Sequence, residues 1–313
     1  MKIDFLDRDS TYCLRGIAML MIIISHSANG YPTDDALFSY PQCLNQLHVV
    51  YWGGMGVAIF LFLSGYGMFL SLSRKSEIDT PYIVSKFRRL IEPFLLYWVV
   101  EIIVLVIYDP QALTFDLLKE ICKFSIHPHT ENWFFKVIVA AYIVIILLFK
   151  MRLSARNRVL LLFALSLAYL IYMKSNSQGE WWYNTILLFP IGALVAWSKD
   201  YFERLSPLRA GSVCLLLLAS VLVYRANMIL FHIAFVFICI YAIRWVNIRN
   251  RILYFIGYNS FVFYFMECPI LDNVMKFTYH NFIIYTLLSL LGTFALSWVC
   301  VKALQYTNAK KHR

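Results

Sequence analysis

The chain has 313 residues, of which 61% are hydrophobic, 17% aromatic and 15% charged. Soluble domains carry about 25% charged and about 45–50% apolar residues, and a single soluble core stops growing at about 250–300 residues. The composition therefore excludes a cytosolic globular enzyme, a disordered chain and a disulfide scaffold. Unbroken apolar runs of about 20 residues indicate membrane-spanning helices and not the alternating strands of a β-barrel.

Taken in chain order, the apolar runs predict about ten transmembrane helices. Each run approaches the length needed to cross ~30 Å of hydrocarbon. We therefore predict an all-α polytopic membrane protein whose residues 1–313 form a single integral-membrane domain. The predicted spans are residues 12–29, 48–71, 86–108, 131–149, 158–173, 181–198, 208–224, 227–243, 252–270 and 281–301.

The formal net charge of +10 comes mostly from basic residues that flank these spans. With the N-terminus inside, 21 of the 28 Lys and Arg residues fall on the cytoplasmic side and five on the other side. Cytoplasmic segments of membrane proteins carry such an excess, so both termini are expected in the cytoplasm. We expect a multi-pass protein of the plasma or inner membrane, with the lipid bilayer and not nucleic acid as its partner.

Ionisable side chains inside spans are costly and usually functional, and Arg15 and His26 form the most informative pair. They are 11 residues apart in the first span, which places them within about 20° on one helix face and ~16 Å apart along the axis. The spacing predicts a cation near the cytoplasmic side and an imidazole deep in the membrane. Arg15 could equally snorkel to the interface, and His26 could be a hydrogen-bonded packing residue.

Two further segments combine unusual residues with a simple structural explanation. The second span carries five of the chain's 12 glycines within Gly53–Met68, which favours close helix packing and would also let a ligand approach the backbone. A basic cluster at the start of the third span contains Lys86, Arg88 and Arg89. Those three residues could contact anionic lipid or grip the phosphates of a soluble donor.

The predicted outer end of the fourth span carries a carboxylate beside an aromatic, Glu131 and Trp133. The pair could contact a sugar, although Trp also belongs to the aromatic belt of membrane interfaces. In the ninth span, Glu267 is a lone carboxylate that we expect to be protonated or paired. The histidines and cysteines do not have metal-ligand spacing, so no metal site is predicted.

Five segments in a fixed order together resemble the acyltransferase family 3 proteins, transmembrane enzymes that O-acylate extracytoplasmic sugars. This chain departs from the family at the third span, where Lys86-x-x-Arg89 replaces a common paired-arginine motif. It also departs in the late motif, which commonly ends in His and here has Glu267. The matching segments are Arg15–Ala18 with Ser25–His26, Gly56–Tyr66, Lys86–Pro93, Trp133–Tyr142 and Gly257–Tyr264.

The resemblance implies transfer of an acyl group, most often acetyl, from cytoplasmic acyl-CoA to a hydroxyl of an extracytoplasmic sugar, polysaccharide or lipid-linked glycan. Acetyl-CoA or another acyl-CoA is then a co-substrate, and no cofactor is bound permanently. Sugar hydroxyls are weak nucleophiles, so a buried His can serve as general base. The implied residues are His26 (general base or acyl relay) and Arg15 in catalysis, Lys86, Arg88 and Arg89 for the donor, and Glu131, Trp133, Glu267, Ser64 and Tyr66 as acceptor-binding or supporting residues.

A transporter or flippase of glycan precursors is the alternative function. Ten spans and intramembrane charges suit a transporter equally well. Such a protein gives no reason for the shared helix face of Arg15 and His26. Turnover of acyl-CoA separates the two functions.

Overall fold

In the computed structural model, the described residues are 6–30, 51–108, 133–205, 228–245, 248–274 and 281–311, with isolated positions between 111 and 115 and between 211 and 219. Every regular element among them is helical. The helices are α1 (Arg8–Gly30), α2 (Trp52–Ser73), α3 (Thr80–Tyr108), α4 (Trp133–Lys150), α5 (Ala155–Ser175), α6 (Leu188–Trp197), α7 (Lys199–Arg204), α8 (Met228–Trp245), α9 (Arg251–Tyr258), α10 (Ser260–Val274) and α11 (Phe282–Lys311), with a 3-10 turn at Glu180–Trp182 before α6.

The all-α prediction is confirmed for the described residues. Six helices are long and apolar enough to cross a membrane, namely α1 to α5 and α11. Shorter apolar helices occur at Leu188–Trp197, Met228–Ile243 and Ser260–Leu271. The number of ten spans and the cytoplasmic location of both termini stay predictions, and most of the predicted span 208–224 lies outside the described residues.

Two predicted spans differ from the helices that the structure contains. In the span predicted at 181–198, the α-helix begins only at Leu188. Pro190 has no amide to donate to Ile186, and the amides of Ile186, Leu188 and Phe189 form i→i+3 hydrogen bonds instead. The span predicted at 252–270 is two helices, α9 and α10. They are separated at Asn259, whose carbonyl oxygen accepts the amides of Val262 and Phe263 at the start of α10.

The chain divides into two compact units. The first unit contains the described residues of Met1–Ala18, Gly54–Asp79 and Val137–Tyr258. The second unit contains those of Met19–Gly53, Thr80–Lys136 and Asn259–Arg313. Helix α1 therefore supplies its first half to one unit and its second half to the other.

The first unit is built on two close helix crossings at glycines. Gly65 of α2 and Gly192 of α6 face each other's helix, since a Cβ atom at either position would collide with the carbonyl oxygen of Phe189 or Phe62. Between α1 and α9, a Cβ at Gly257 would in the same way collide with the carbonyl oxygen of Tyr12. Glycine permits this approach of backbones in lipid, which supports the close-packing interpretation of the glycine-rich second span.

The second unit has an aromatic core in which α10 packs against α3 and α11. Phe265 of α10 is its centre, with ring centroids 5.4 Å from Phe94, 5.7 Å from Tyr97 and 5.4 Å from Phe135. Phe94 and Phe135 stack on each other with their centroids 4.7 Å apart. Such ring pairs add to the stability that burial provides, so they hold α10 firmly within this unit.

Candidate active site

The second unit brings together two ionisable residues that are 241 positions apart in the chain. The Nδ1 atom of His26 in α1 lies 2.8 Å from the Oε1 atom of Glu267 in α10. Glu267 is fully buried, whereas 40% of the His26 side chain is exposed. A buried carboxylate needs a hydrogen-bonded partner, and the imidazole supplies it.

The hydrogen bond determines what the other ring nitrogen of His26 can do. An ionised carboxylate can only accept, so in that state Nδ1 donates its proton to Glu267. The Nε2 atom then carries the lone pair, and it has no hydrogen-bond partner among the residues that the structure describes. A partly exposed imidazole held by a buried carboxylate is an arrangement that general bases and nucleophilic histidines share.

The position of Glu267 follows from the packing of α10 around it. Phe265 fits into the aromatic core from two residues upstream, and Met266 contacts Cys300 of α11 with the two sulfur atoms 3.6 Å apart. Pro269 lies inside the same helix two residues downstream. The carboxylate is therefore anchored on a well-packed helix and not on a loop, which is what a group that orients another side chain requires.

Arg15 lies in the first unit, at the half of α1 that precedes His26. Its guanidinium carbon is 5.9 Å from the ring centroid of Tyr12, and Tyr12 in turn contacts the rings of Tyr254 and Tyr258 edge-on. The Nε atom of Arg15 is buried and has no hydrogen-bond partner among the described residues. A buried, unsatisfied donor of this kind is costly, and an anionic ligand would satisfy it.

The three predicted donor residues have different surroundings in the first turns of α3. Arg88 donates from Nε to the Oε1 of Glu92 one turn later, and the Nζ of Lys86 lies 4.9 Å from the ring centroid of Tyr82. Arg89 is exposed. All three belong to the second unit. The charge of Arg88 is already neutralised by Glu92.

The remaining predicted residues are distributed over both units. Ser64 and Tyr66 are buried in α2 of the first unit, where the ring of Tyr66 is parallel to that of Phe62. Trp133 begins α4 in the second unit and meets Phe134 edge-on. Glu131 lies outside the described residues. Among the predicted site residues, His26 and Glu267 are in direct contact.

The sequence indicates Glu267 as a site residue but does not indicate that its partner is His26. The pairing could have been inferred, because a lone buried carboxylate and a lone intramembrane histidine each need a hydrogen-bonding partner. From the sequence alone, the basic residues at the end of α4 and at the start of α5 indicate only the orientation of these helices in the membrane. Among the described residues, no group of three His, Cys, Asp or Glu side chains is placed to hold a metal ion.

Comparisons with known proteins agree with this geometry at the level of the family. The acyltransferase domain model of acyltransferase family 3 matches residues 5–302, nearly the whole chain. No curated protein and no solved structure matches the sequence. The segments that resemble the family and the domain match agree, and the chain therefore belongs to acyltransferase family 3.

Proposed function

We propose that this membrane acyltransferase moves an acyl group, most simply acetyl, from acyl-CoA to a hydroxyl of an extracytoplasmic sugar, polysaccharide or lipid-linked glycan. The observation that carries the proposal is the pairing of the partly exposed His26 with the fully buried Glu267. The pair supplies an oriented imidazole, which a weak hydroxyl nucleophile needs for attack on a thioester.

In the general-base route, Nε2 of His26 takes the proton of the acceptor hydroxyl while the hydroxyl oxygen attacks the thioester carbonyl carbon. The tetrahedral intermediate then expels the thiolate of CoA, and the carbon–sulfur bond breaks. The imidazolium returns its proton to that thiolate. In the relay route, Nε2 itself attacks the thioester carbonyl carbon, the carbon–sulfur bond breaks and CoA leaves as the thiolate. The sugar hydroxyl then attacks the acyl-imidazolium, the acyl–nitrogen bond breaks, and the hydroxyl proton passes to the CoA thiolate. Glu267 stabilises the imidazolium in both routes and serves as a positioning residue.

The donor side of the proposal uses the basic residues. Arg15 has a buried Nε without a partner among the described residues, and Lys86 and Arg89 lie one turn apart at the start of α3. Arginine binds phosphate through two parallel hydrogen bonds. We assign the phosphates of acyl-CoA to Lys86 and Arg89 of the second unit, at the side that the charge distribution predicts to be cytoplasmic. The acceptor sugar approaches from the opposite side, near Trp133. Arg15, in the first unit, is a separate candidate for contact with an anionic ligand.

The test separates donor binding from acyl transfer in purified protein reconstituted in lipid. We expect His26→Ala to lower acyl transfer by about 10²–10⁴-fold, the usual contribution of a general base, with acyl-CoA binding largely unchanged. His232→Ala is the matched control, because His232 is a buried histidine in α8 of the first unit and is expected to retain transfer.

Two results would contradict the proposal. One is transfer by His26→Ala within tenfold of the parent, and the other is an equal loss in His232→Ala. Absence of acyl-CoA turnover in the parent protein, together with movement of a lipid-linked glycan across the bilayer, would favour the transporter alternative.

A further inference from the structure

A polar pocket in the first unit brings together basic residues from three segments. It has a volume of approximately 360 Å³, at the lower end of the range for small-molecule sites. Its cations are Lys75 from the segment after α2, Lys150 from the end of α4 and Arg158 from the first turn of α5. None of them is among the predicted donor residues, and no step of the proposed acyl transfer uses them.

The charge of the pocket suits an anion. Glu77 is its acidic residue, against three basic ones, so the lining carries an excess of two positive charges. Arg158 also lies in the first turn of the 21-residue helix α5, whose N-terminus is capped by the Ser154 side chain. The helix dipole adds positive potential at that end.

The guanidinium group of Arg158 is held beside the pocket by two contacts, one with an aromatic ring and one with a backbone carbonyl. Its guanidinium carbon lies 4.3 Å from the ring centroid of Phe149, and its Nη2 lies 3.5 Å from the carbonyl oxygen of Met151. Its Nε is buried and has no hydrogen-bond partner among the described residues. A buried guanidinium donor without a partner is costly, and a phosphate oxygen would satisfy it.

We propose that this pocket binds a phosphate group through Arg158, Lys150 and Lys75. Arginine and lysine together are the residues that proteins use for phosphate. The pocket lies at the helix ends that the charge distribution predicts to be cytoplasmic, so the phosphate comes either from the headgroup of an anionic phospholipid or from a soluble phosphorylated compound. The proposal does not rest on acyl transfer.

The experiment titrates inorganic pyrophosphate into the full-length protein in phosphatidylcholine nanodiscs by calorimetry. We expect Arg158→Gln to weaken pyrophosphate binding by about tenfold, since a charge-assisted hydrogen bond contributes that much or more. Arg156→Gln is the matched control, because Arg156 is exposed, lies in the same helical turn and does not line the pocket. Lys150→Gln provides a second variant at an exposed position, where folding is not at risk.

Repeating the titration in nanodiscs that contain phosphatidylglycerol identifies the source of the phosphate. Loss of pyrophosphate binding in the parent assigns the pocket to the lipid headgroup, and unchanged binding assigns it to a soluble phosphate; both support the site. Equal pyrophosphate affinity in the parent and in both the Arg158→Gln and Lys150→Gln proteins would overturn the proposal. An equal loss in Arg156→Gln would do the same, because it would reduce the pocket to general surface charge.

Discussion

The hydrogen bond between His26 Nδ1 and Glu267 Oε1 is the contact with the clearest chemical consequence. Replacing Glu267 with Gln keeps the size of the side chain and removes its ability to stabilise an imidazolium. We expect Glu267→Gln to lower kcat by between about tenfold and 10⁴-fold, as in other carboxylate–histidine pairs. The KM for acyl-CoA should change little, because Glu267 does not contact the donor in the proposed mechanism.

Glu101 offers the matched control for that experiment. It is the other buried glutamate among the described residues of the second unit. Steady-state kinetics of Glu101→Gln should give a kcat close to that of the parent. An equal loss of kcat in Glu267→Gln and Glu101→Gln would contradict the prediction. It would show that activity depends on a buried carboxyl group in general and not on the pairing of Glu267 with His26.

The ion pair of Arg88 with Glu92 leads to a prediction about acyl-CoA binding. Glu92 competes with the donor phosphates for Arg88, so Glu92→Gln should tighten acyl-CoA binding by about two- to fivefold, the range of exposed ion pairs. Arg89→Gln should weaken binding more than Arg88→Gln, because Arg88 is already paired with Glu92, whereas Arg89 is exposed and forms no ion pair with a described residue. Equilibrium binding at low and at high salt provides the measurement, and weaker acyl-CoA binding by Glu92→Gln would contradict the assignment.

At the element scale, two glycines of α2 form a natural pair for testing the helix crossing. A Cβ at Gly65 would collide with the backbone of Phe189 in α6, whereas a Cβ at Gly67 would meet no atom within 4 Å. Gly65→Ala should therefore destabilise the protein by about 1–3 kcal/mol, as overpacking does. Gly67→Ala should be neutral or slightly stabilising, because alanine favours the helix.

Thermal unfolding of the purified variants in one detergent measures this difference. The expected order of melting temperature is Gly65→Ala below the parent and Gly67→Ala at or above it. Equal melting temperatures for the two variants would show that the backbones of α2 and α6 do not approach each other at this point.

For the whole molecule, the charge distribution predicts the orientation in the membrane. The cytoplasmic excess of Lys and Arg places the segment between α2 and α3 inside and the segment after α5 outside. Single cysteines at the exposed positions Ser76 and Gln178 should therefore differ in intact cells. A membrane-impermeant thiol reagent should label a cysteine at Gln178 and not one at Ser76, and the reverse pattern would require the opposite orientation.

Much of the helix architecture could be predicted because hydropathy is a local property. Each of the six long apolar helices overlaps a predicted span, as α4 at Trp133–Lys150 does with 131–149. The largest differences are the start of α3 at Thr80 and the end of α11 at Lys311. The separation of α9 from α10 at Asn259 could not be predicted, because the apolar run continues through it and only turn hydrogen bonds mark the end. The late start of α6 is marked in the same way, by i→i+3 hydrogen bonds before Pro190.

The candidate site was predictable in its residues and not in their contacts. The mismatch between an ionisable side chain and an apolar span identifies His26 and Glu267 separately. Their pairing depends on how α1 and α10 pack, which no spacing along the chain encodes. The basic pocket was not predictable for the same reason, since Lys75, Lys150 and Arg158 come from three separate segments.

A double-mutant cycle on acyl transfer determines whether Glu267 acts through His26. The four proteins are the parent, His26→Ala, Glu267→Gln and the double variant, each checked for acyl-CoA binding. Residues that act as one unit are strongly non-additive. The double variant should therefore transfer acyl groups about as slowly as His26→Ala alone. A double variant whose loss equals the product of the two single losses would contradict the claim.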